Sequence, residues 1–226
     1  MARRHVFVTG GTGYLGRRVI PELLARGHAV RALAREGSAP RLPEGCEPVS
    51  GDALDASTFA ARVPPCDTLL QLVGVAHPSP AKAALFRTVD LASLRASVEA
   101  AAASRISHFV YVSVAHPAPA MKAYWQARAE GEDVLRASGV PATILRPWYV
   151  LGPGHRWPYA LLPFYWILER LPPTRAGARR LGLVTLAQMV RALVAAVESE
   201  SPPAAGPPRI VEVPEIRSGS VVRSRS

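Results

Sequence analysis

A glycine-rich loop near the start of the chain constrains the fold more than any other stretch. In VFVTGGTGYLGRRV, the pattern Gly11-x-Gly13-x-x-Gly16 stands between an apolar run at 5–9 and a helical pattern at 14–26. This order of strand, glycine turn and helix is typical of a loop that binds a dinucleotide pyrophosphate, because glycine allows close backbone approach and the helix N-terminus offers unpaired N–H groups. We expect Gly16 to let the helix pack against the sheet. The predicted cofactor-binding residues of the loop are Gly10, Gly11, Thr12, Gly13, Tyr14, Leu15 and Gly16.

Two other interpretations of the loop compete with a dinucleotide site. The glycines could form a purely structural turn. The spacing Gly11-x4-Gly16 also fits a P-loop, but Arg17 and Arg18 follow where that motif has Lys and Ser or Thr. A nucleoside triphosphatase would therefore lack its phosphate-binding lysine and its magnesium-binding hydroxyl. Because the strand, the helix and the position in the chain all agree, the dinucleotide interpretation is favoured.

The end of the second apolar run indicates which dinucleotide is bound. An acidic residue about 20 residues after the loop would bind the ribose 2′-hydroxyl of NAD. The sequence there is VRALARE, with Arg35 at the predicted strand end and Arg31 before it. Arginine favours a 2′-phosphate by its charge and by bidentate hydrogen bonding, so NADP is the predicted cofactor. The acidic Glu36 follows directly, so NAD stays the alternative cofactor. Arg35 could also be a solvated surface residue without a role in binding.

Short apolar runs alternate with helical patterns along most of the chain. Strands are predicted at 5–9, 29–34, 47–50, 67–74, 108–114 and 142–148, and helices at 14–26, 82–104, 121–138 and 183–198. Nearly continuous apolar strands separated by helices indicate βαβ units and a parallel sheet covered on both faces. Right-handed crossovers then give an α/β fold with a doubly wound parallel sheet. A candidate last strand at 209–213 precedes a polar, basic end that is expected to be disordered.

Composition narrows the range of partners. Of the 226 residues, 49% are hydrophobic and 19% are charged, which is typical of a globular protein. The net charge of +10 comes almost entirely from scattered arginines, since Lys82 and Lys122 are the only lysines. A nucleic-acid-binding protein usually gathers its basic residues on one face or in one run, so we expect a solvated basic surface and no nucleic acid. Anionic partners such as a phosphorylated cofactor or a membrane surface stay open.

The remaining residue types indicate a cytoplasmic protein without a metal. Cys46 and Cys66 lie far apart and outside any Cys-x-x-Cys pattern, as expected for free thiols in a reducing compartment. The six histidines have no metal-ligand spacing. The apolar run near the N-terminus is too short for the core of a signal peptide. The apolar run within 156–174 is too short for a membrane span.

Five segments resemble the short-chain dehydrogenase/reductase superfamily in its extended and atypical branches. They are TGGTGYLG at 9–16, GDALD at 51–55, LVGVA at 72–76, HFVYVSV at 108–114 and ATILRPWYVLGPG at 142–154. The match covers about residues 5–155 and is closest to NmrA-like proteins and to relatives of the respiratory complex I accessory subunit. The resemblance implies a Rossmann fold that binds NAD(P). Several members of these branches bind NADP(H) without known turnover.

The resemblance also implies roles for individual residues. Asp52 of GDALD matches a residue that lies by the adenine, and Val73 and Gly74 lie where the backbone runs along the cofactor. Ser113, near the end of the fifth predicted strand, matches the catalytic serine that orients the substrate oxygen.

The stretch YWQAR at 124–128 decides whether the catalytic device of the superfamily is retained. In enzymatic members a tyrosine is the general acid or base and a lysine four residues later holds the nicotinamide ribose; here Tyr124 is followed by Arg128. The two positions share a helix face, and a nearby cation favours the ionised tyrosine. Arginine keeps the charge but is effectively never deprotonated, so it cannot join a proton relay. Alternatively, Tyr124 only packs its ring, and Arg128 forms a surface ion pair with Glu132.

The resemblance places a substrate lid at 156–174, a segment rich in aromatic residues and prolines. Its aromatics could line an apolar pocket, form a protein or peripheral membrane contact, or pack in the core. We predict one NAD(P)-binding domain over 1–200 and a partly disordered tail over 201–226. The predicted function is an NADP-dependent oxidoreductase acting on a small apolar carbonyl or quinone-like compound through Ser113, Tyr124 and Arg128. The alternative is a non-catalytic NADP(H)-binding sensor or assembly protein that acts through 156–174, and the oligomeric state stays open.

Overall fold

A parallel sheet forms the centre of the fold. The structure is a computed structural model that describes residues 3–118, 120–153, 177, 180–202 and 206–220. Its strands are β1 (His5–Thr9), β2 (Ala29–Ala34), β3 (Glu47–Ser50), β4 (Thr68–Gln71), β5 (His108–Val112), β6 (Ala142–Arg146), β7 (Tyr149–Leu151), β8 (Leu183–Thr185) and β9 (Arg209–Glu212). Seven of them form one sheet in the order β3-β2-β1-β4-β5-β6-β9, and every neighbouring pair is parallel. The strand order reverses between β1 and β4, so the predicted doubly wound sheet is confirmed.

Helices connect these strands. They are α1 (Gly16–Ala25), α2 (Ala83–Leu85), α3 (Ala92–Ala103), α4 (Lys122–Ala137), α5 (Leu186–Glu198) and α6 (Val213–Ser218), with a π-helical segment at Phe86–Leu91. The helix predicted over 82–104 is therefore three consecutive pieces, because the π-helical segment joins α2 to α3. Of the helices in the described part of the chain, none combines the length and the apolar character that crossing a bilayer requires.

One predicted helix starts later than expected. The prediction of a helix over 183–198 is wrong for its first three residues, which form β8 and pair in parallel with β7. Thr185 then caps α5: its hydroxyl accepts a hydrogen bond from the Gln188 N–H at 3.2 Å, and the Gln188 side chain accepts one from the Thr185 N–H at 2.8 Å. This capping box fixes the helix start at Leu186.

Both faces of the sheet are buried. Val6 and Val8 of β1 pack with α1 and α5, whereas Phe7 packs on the opposite face with residues of α3 and α4 such as Leu94 and Leu135. Alternate residues of a strand point to opposite faces. The strand is therefore apolar at successive positions, as expected for a sheet covered by helices on both sides.

The last described elements extend the fold beyond residue 200. β9 (Arg209–Glu212), at the position of the candidate last strand, pairs with β6, and α6 follows it with a capping box between Glu212 and Glu215. The predicted lid, 156–174, lies outside the described residues, as do the final residues 221–226.

Candidate functional site

The glycine loop joins the carboxyl end of β1 to α1. Gly10 has a φ of +81°, in the left-handed region that favours glycine, and its carbonyl oxygen accepts a hydrogen bond from the Gly13 N–H at 3.0 Å. A Cβ at Gly16 would lie 2.5 Å from the carbonyl oxygens of Gly10 and Gly11. Gly16 therefore lets α1 approach the loop backbone itself, a closer contact than the packing against the sheet that the sequence predicts.

The first turn of α1 is open to an anion. Its N-cap residue, Leu15, makes no side-chain capping hydrogen bond, and the first turn contains no acidic residue. The Arg17 and Arg18 N–H groups donate to the carbonyl oxygens of Gly13 and Leu15 at 3.1 and 3.0 Å. The positive end of the helix dipole therefore lies at the loop with no acidic side chain of the first turn to oppose it.

Two cavities border this loop at the carboxyl edge of the sheet, and together they form one groove. The first has a volume of about 470 Å³ and the second about 500 Å³. Both are lined by Thr12, Gly13, Leu72 and Gly74. The groove runs past the point where the strand order reverses, which is where open α/β sheets bind their ligands.

The predicted cofactor residues divide between the two cavities. Those in the first cavity are Gly10, Thr12, Gly13, Arg35, Asp52, Val73 and Gly74. Those in the second are Thr12, Gly13, Tyr14, Leu15 and Gly74. Gly11 and Gly16 line neither cavity, and their predicted roles in cofactor binding stay predictions. A Cβ at Gly11 would lie 2.9 to 3.1 Å from side-chain atoms of Ala32, Leu42 and Ile20.

Tyr124 lies in the second cavity, near the start of α4. Its ring is half-buried and packs edge-on against Phe86, with 5.0 Å between ring centroids. The guanidinium carbon of Arg128 lies 5.5 Å from the centroid of the Tyr124 ring. The predicted neighbourhood of tyrosine and cation is therefore formed, and both residues line the same cavity as the glycine loop.

Arg128 is buried, with 6% of its surface exposed. Its guanidinium donates hydrogen bonds to Asp90 Oδ1 at 2.5 Å and to the Val112 carbonyl oxygen at 2.9 Å. Burial alone would lower the pKa of Arg128, but the neighbouring Tyr124, Tyr111 and Asp90 raise it above its ordinary value. The side chain is a permanent buried cation.

The surface ion pair between Arg128 and Glu132 is not formed. Both residues are buried, and each has other partners because this face of α4 packs against the sheet. Glu132 accepts hydrogen bonds from Arg146, from His116 and from the Ser113 hydroxyl, the last at 2.7 Å. Burial would raise the pKa of Glu132, but these hydrogen bonds lower it to about 2.

Ser113 lines the second cavity but is only 2% exposed. Its hydroxyl proton is directed to Glu132, so in this arrangement the side chain has no donor left for a ligand. The catalytic role implied for Ser113 stays a prediction.

Asp90 is a residue of the site that the sequence interpretation missed. It lies in the π-helical segment and is 1% exposed; Oδ1 accepts from Arg128, and Oδ2 accepts from the Val75 N–H at 3.0 Å. Burial raises the pKa of Asp90 against the opposing attraction of Arg128. The available signal was an acidic residue flanked by the apolar Val89 and Leu91 within the predicted helix.

Comparison with known proteins gives the family. A family model described as NAD(P)H-binding matches residues 10–156, which is more than half of the chain. The chain belongs to this NAD(P)H-binding family. The matched range contains Asp90 and all the residues that line the two cavities, Tyr124 and Arg128 among them.

Named relatives of this NAD(P)H-binding protein include reductases. A 3-diazoavenalumate denitrifying reductase from Streptomyces sp. is 31% identical over 226 residues, covering 87% of this chain and 73% of the relative. A 4-hydroxy-2-methyl-3-oxo-4-farnesyl-3,4-dihydroquinoline-1-oxide ketoreductase from Stigmatella aurantiaca is 30% identical over 168 residues, covering 65% of this chain and 50% of the relative. The chain thus spans only about half the length of the ketoreductase.

A solved structure agrees with the fold of the NAD(P)H-binding protein. A short-chain dehydrogenase/reductase superfamily protein from Agrobacterium tumefaciens with bound NAD superposes with a TM-score of 0.65 at 19% identity, covering 92% of this chain and 77% of that one. At this identity the likeness concerns the fold, and with the family match it confirms the predicted NAD(P)-binding Rossmann fold.

Proposed function

We propose that the protein is an NADP(H)-dependent oxidoreductase acting on a small apolar carbonyl or quinone-like compound. The observation that carries the proposal is that Tyr124 and Arg128 line the same cavity as Thr12, Gly13 and Tyr14 of the glycine loop. A proton-donating phenol, a fixed cation and a dinucleotide loop thereby share one space. Reductase names among the relatives support the same reaction class.

The residues at the groove fit a dinucleotide. Gly13 is exposed in both cavities without a side chain to cover its backbone, and the first turn of α1 has no acidic residue to repel a pyrophosphate. We assign the adenosine half to the first cavity, with Asp52 near its edge, and the nicotinamide half to the second. The bound cofactor would supply the hydride.

Arg35 supports NADP over NAD. It follows β2, is exposed, and lines the first cavity together with Ser38. The Ser38 hydroxyl accepts a hydrogen bond from the Arg41 guanidinium at 2.8 Å, which places a second cation beside the same wall. Glu36 is exposed and does not line the cavity. Arg41 does not line the cavity either, so the charge of Arg35 carries the assignment of a 2′-phosphate.

Tyr124 is the residue that we assign to proton transfer. Its ring is held by Phe86, and Arg128 lies beside it as a cation that does not titrate. Arg128 therefore places a fixed positive charge beside the phenol but cannot pass a proton to it. Because the Ser113 hydroxyl donates to Glu132, Tyr124 is the principal donor to a substrate oxygen.

Consumption of NADPH and NADH across a panel of carbonyl and quinone compounds tests the proposal, with Tyr124→Phe as the comparison. Removing a general acid costs about 10²- to 10⁴-fold, so we expect Tyr124→Phe to lose turnover on this scale and to keep its affinity for NADPH. Tight NADPH binding by the wild-type protein without turnover of any compound would refute the oxidoreductase and favour the non-catalytic sensor or assembly protein. Equal turnover by Tyr124→Phe would refute the role of the tyrosine.

A further inference from the structure

A buried carboxylate connects two walls of the groove. The side chains of Asp90 and Arg128 are 1% and 7% exposed. One oxygen of Asp90 accepts from the Arg128 guanidinium and the other from the backbone N–H of Val75. Val75 belongs to the segment after β4, which lines the second cavity, and Arg128 belongs to α4. Asp90 therefore bonds to both walls while lying outside the cavity.

The space for the guanidinium is also built in. A Cβ at Gly74 would overlap the Arg128 guanidinium, so only glycine at 74 allows this position. The Val112 carbonyl oxygen, at the end of β5, accepts the other hydrogen bond at 2.9 Å. Three separate segments of the chain thus fix the cation beside Tyr124.

Stability alone does not account for this pair. Removing two charges from water costs about as much as their attraction returns, and apolar replacements of similar volume are often neutral or stabilising. This pair has a further effect, because the Asp90 carboxylate also accepts from the Val75 N–H in the cavity wall. It sets the distance between the Arg128 cation and that wall.

We propose that Asp90 is a positioning residue that holds the Arg128 cation and the segment after β4 in register, so that the groove accepts the cofactor beside Tyr124. This inference rests on the proposed function, because it assumes that Tyr124 and Arg128 act on a bound dinucleotide. It does not place Asp90 in contact with the cofactor or the substrate.

The chemistry requires aspartate in particular. An ionised carboxylate has two acceptor oxygens, whereas an asparagine amide has one oxygen and one NH₂ group. In Asp90→Asn, the NH₂ group would face either the Val75 N–H or the Arg128 guanidinium, both of which are donors. One of the two walls would lose its hydrogen bond to residue 90, and Arg128 would lose its counter-charge.

Three variants separate positioning from stability. Asp90→Asn removes one of the two hydrogen bonds that hold Arg128 and the segment after β4 in place. The double variant Asp90→Asn/Arg128→Met removes the cation as well, which leaves the asparagine oxygen free to accept from the Val75 N–H. Thr143→Val is the matched control, because it removes a buried 2.9 Å hydrogen bond to His108, at the opposite end of β5 from the groove. For each we measure the melting temperature, the NADPH dissociation constant by fluorescence titration, and turnover.

We expect Asp90→Asn and Thr143→Val to lower the melting temperature. Asp90→Asn should weaken NADPH binding by about tenfold or more, the equivalent of one buried hydrogen bond, while Thr143→Val stays within about twofold of wild type. The double variant should have a melting temperature close to that of the wild type, while its NADPH affinity should stay as low as that of Asp90→Asn.

Two results would overturn the role of Asp90. One is unchanged NADPH affinity in Asp90→Asn. The other is recovery of affinity together with the melting temperature in the double variant, which would make the pair merely structural. Absence of turnover in the wild-type protein, with the affinities as expected, would refute the oxidoreductase and leave the positioning role standing.

Discussion

Replacing Gly16 by alanine tests how closely α1 must approach the glycine loop. The new Cβ would lie 2.5 Å from the carbonyl oxygens of Gly10 and Gly11 and 2.6 Å from the Cα of Gly11. All three neighbours are backbone atoms, so no side chain can rotate away. Helix α1 cannot yield easily either, because Val19, Ile20 and Leu23 on its inner face are fully buried in the core.

The expected magnitude follows from these contacts. Overpacking of this kind costs about 1–3 kcal/mol, and the higher helix propensity of alanine returns at most about 1 kcal/mol. With that return, a net loss of up to about 2 kcal/mol would lower the melting temperature by up to about 8 °C for a chain of this size. The loop would take up the shift, and Gly10, Thr12 and Gly13 of the loop line the first cavity. We therefore expect NADPH affinity to fall by about tenfold or more, which corresponds to about 1.4 kcal/mol.

The assay is fluorescence titration with NADPH beside thermal unfolding, with Gly37→Ala as the matched control. A Cβ at Gly37 would meet nothing within 4 Å, its φ is not in the left-handed region, and it lines neither cavity. Gly37→Ala should keep the affinity and be neutral or stabilising by about 0.4–1 kcal/mol. If Gly16→Ala binds NADPH as tightly as wild type, the loop does not hold the pyrophosphate in the way we describe.

Two further predictions concern charge. Arg35→Ala should weaken NADPH binding by about tenfold or more and leave NADH binding within about twofold, because the side chain is expected to contact only the 2′-phosphate; equal losses for both dinucleotides in parallel titrations would contradict this. His108 is fully buried against Thr143, and burial lowers its pKa to about 4. The unfolded histidine takes up a proton near pH 6.5 and the folded one near pH 4. As the pH falls from about 6.5 to about 4, the unfolding free energy of the wild type should therefore drop by up to about 3 kcal/mol more than that of His108→Phe. Urea denaturation at a series of pH values measures both, and the same pH dependence in the two proteins would contradict the prediction.

The fold could be predicted from the sequence because buried parallel strands leave a simple signal. The runs at 5–9, 29–34 and 47–50 are observed at the same bounds, since each strand is apolar on both faces. The later strands end earlier than predicted. β4 ends at Gln71, and the apolar residues Leu72 and Val73 that follow it line the groove. Apolar character does not distinguish a residue that stays in the sheet from one that borders a cavity.

The charged part of the site could not be predicted, for a different reason. The four-residue spacing of Arg128 and Glu132 indicates a surface ion pair on an isolated helix. In the folded chain this face is buried. Asp90, distant in sequence, provides the counter-charge of Arg128, and Glu132 pairs with Arg146 as well as with its i+4 neighbour Arg136. A partner that arrives through tertiary packing has no local spacing to reveal it.

The arginine at 128 is therefore more than a conservative replacement for lysine. A lysine ammonium is compact and can exchange a proton, whereas a guanidinium is planar, permanently charged and needs acceptors in fixed directions. Here those acceptors are Asp90 and the Val112 carbonyl, and the room comes from Gly74. Such a cation places a fixed positive charge beside Tyr124 but cannot resupply its proton. In the reaction that we propose, the proton that returns to Tyr124 therefore comes from a donor other than Arg128.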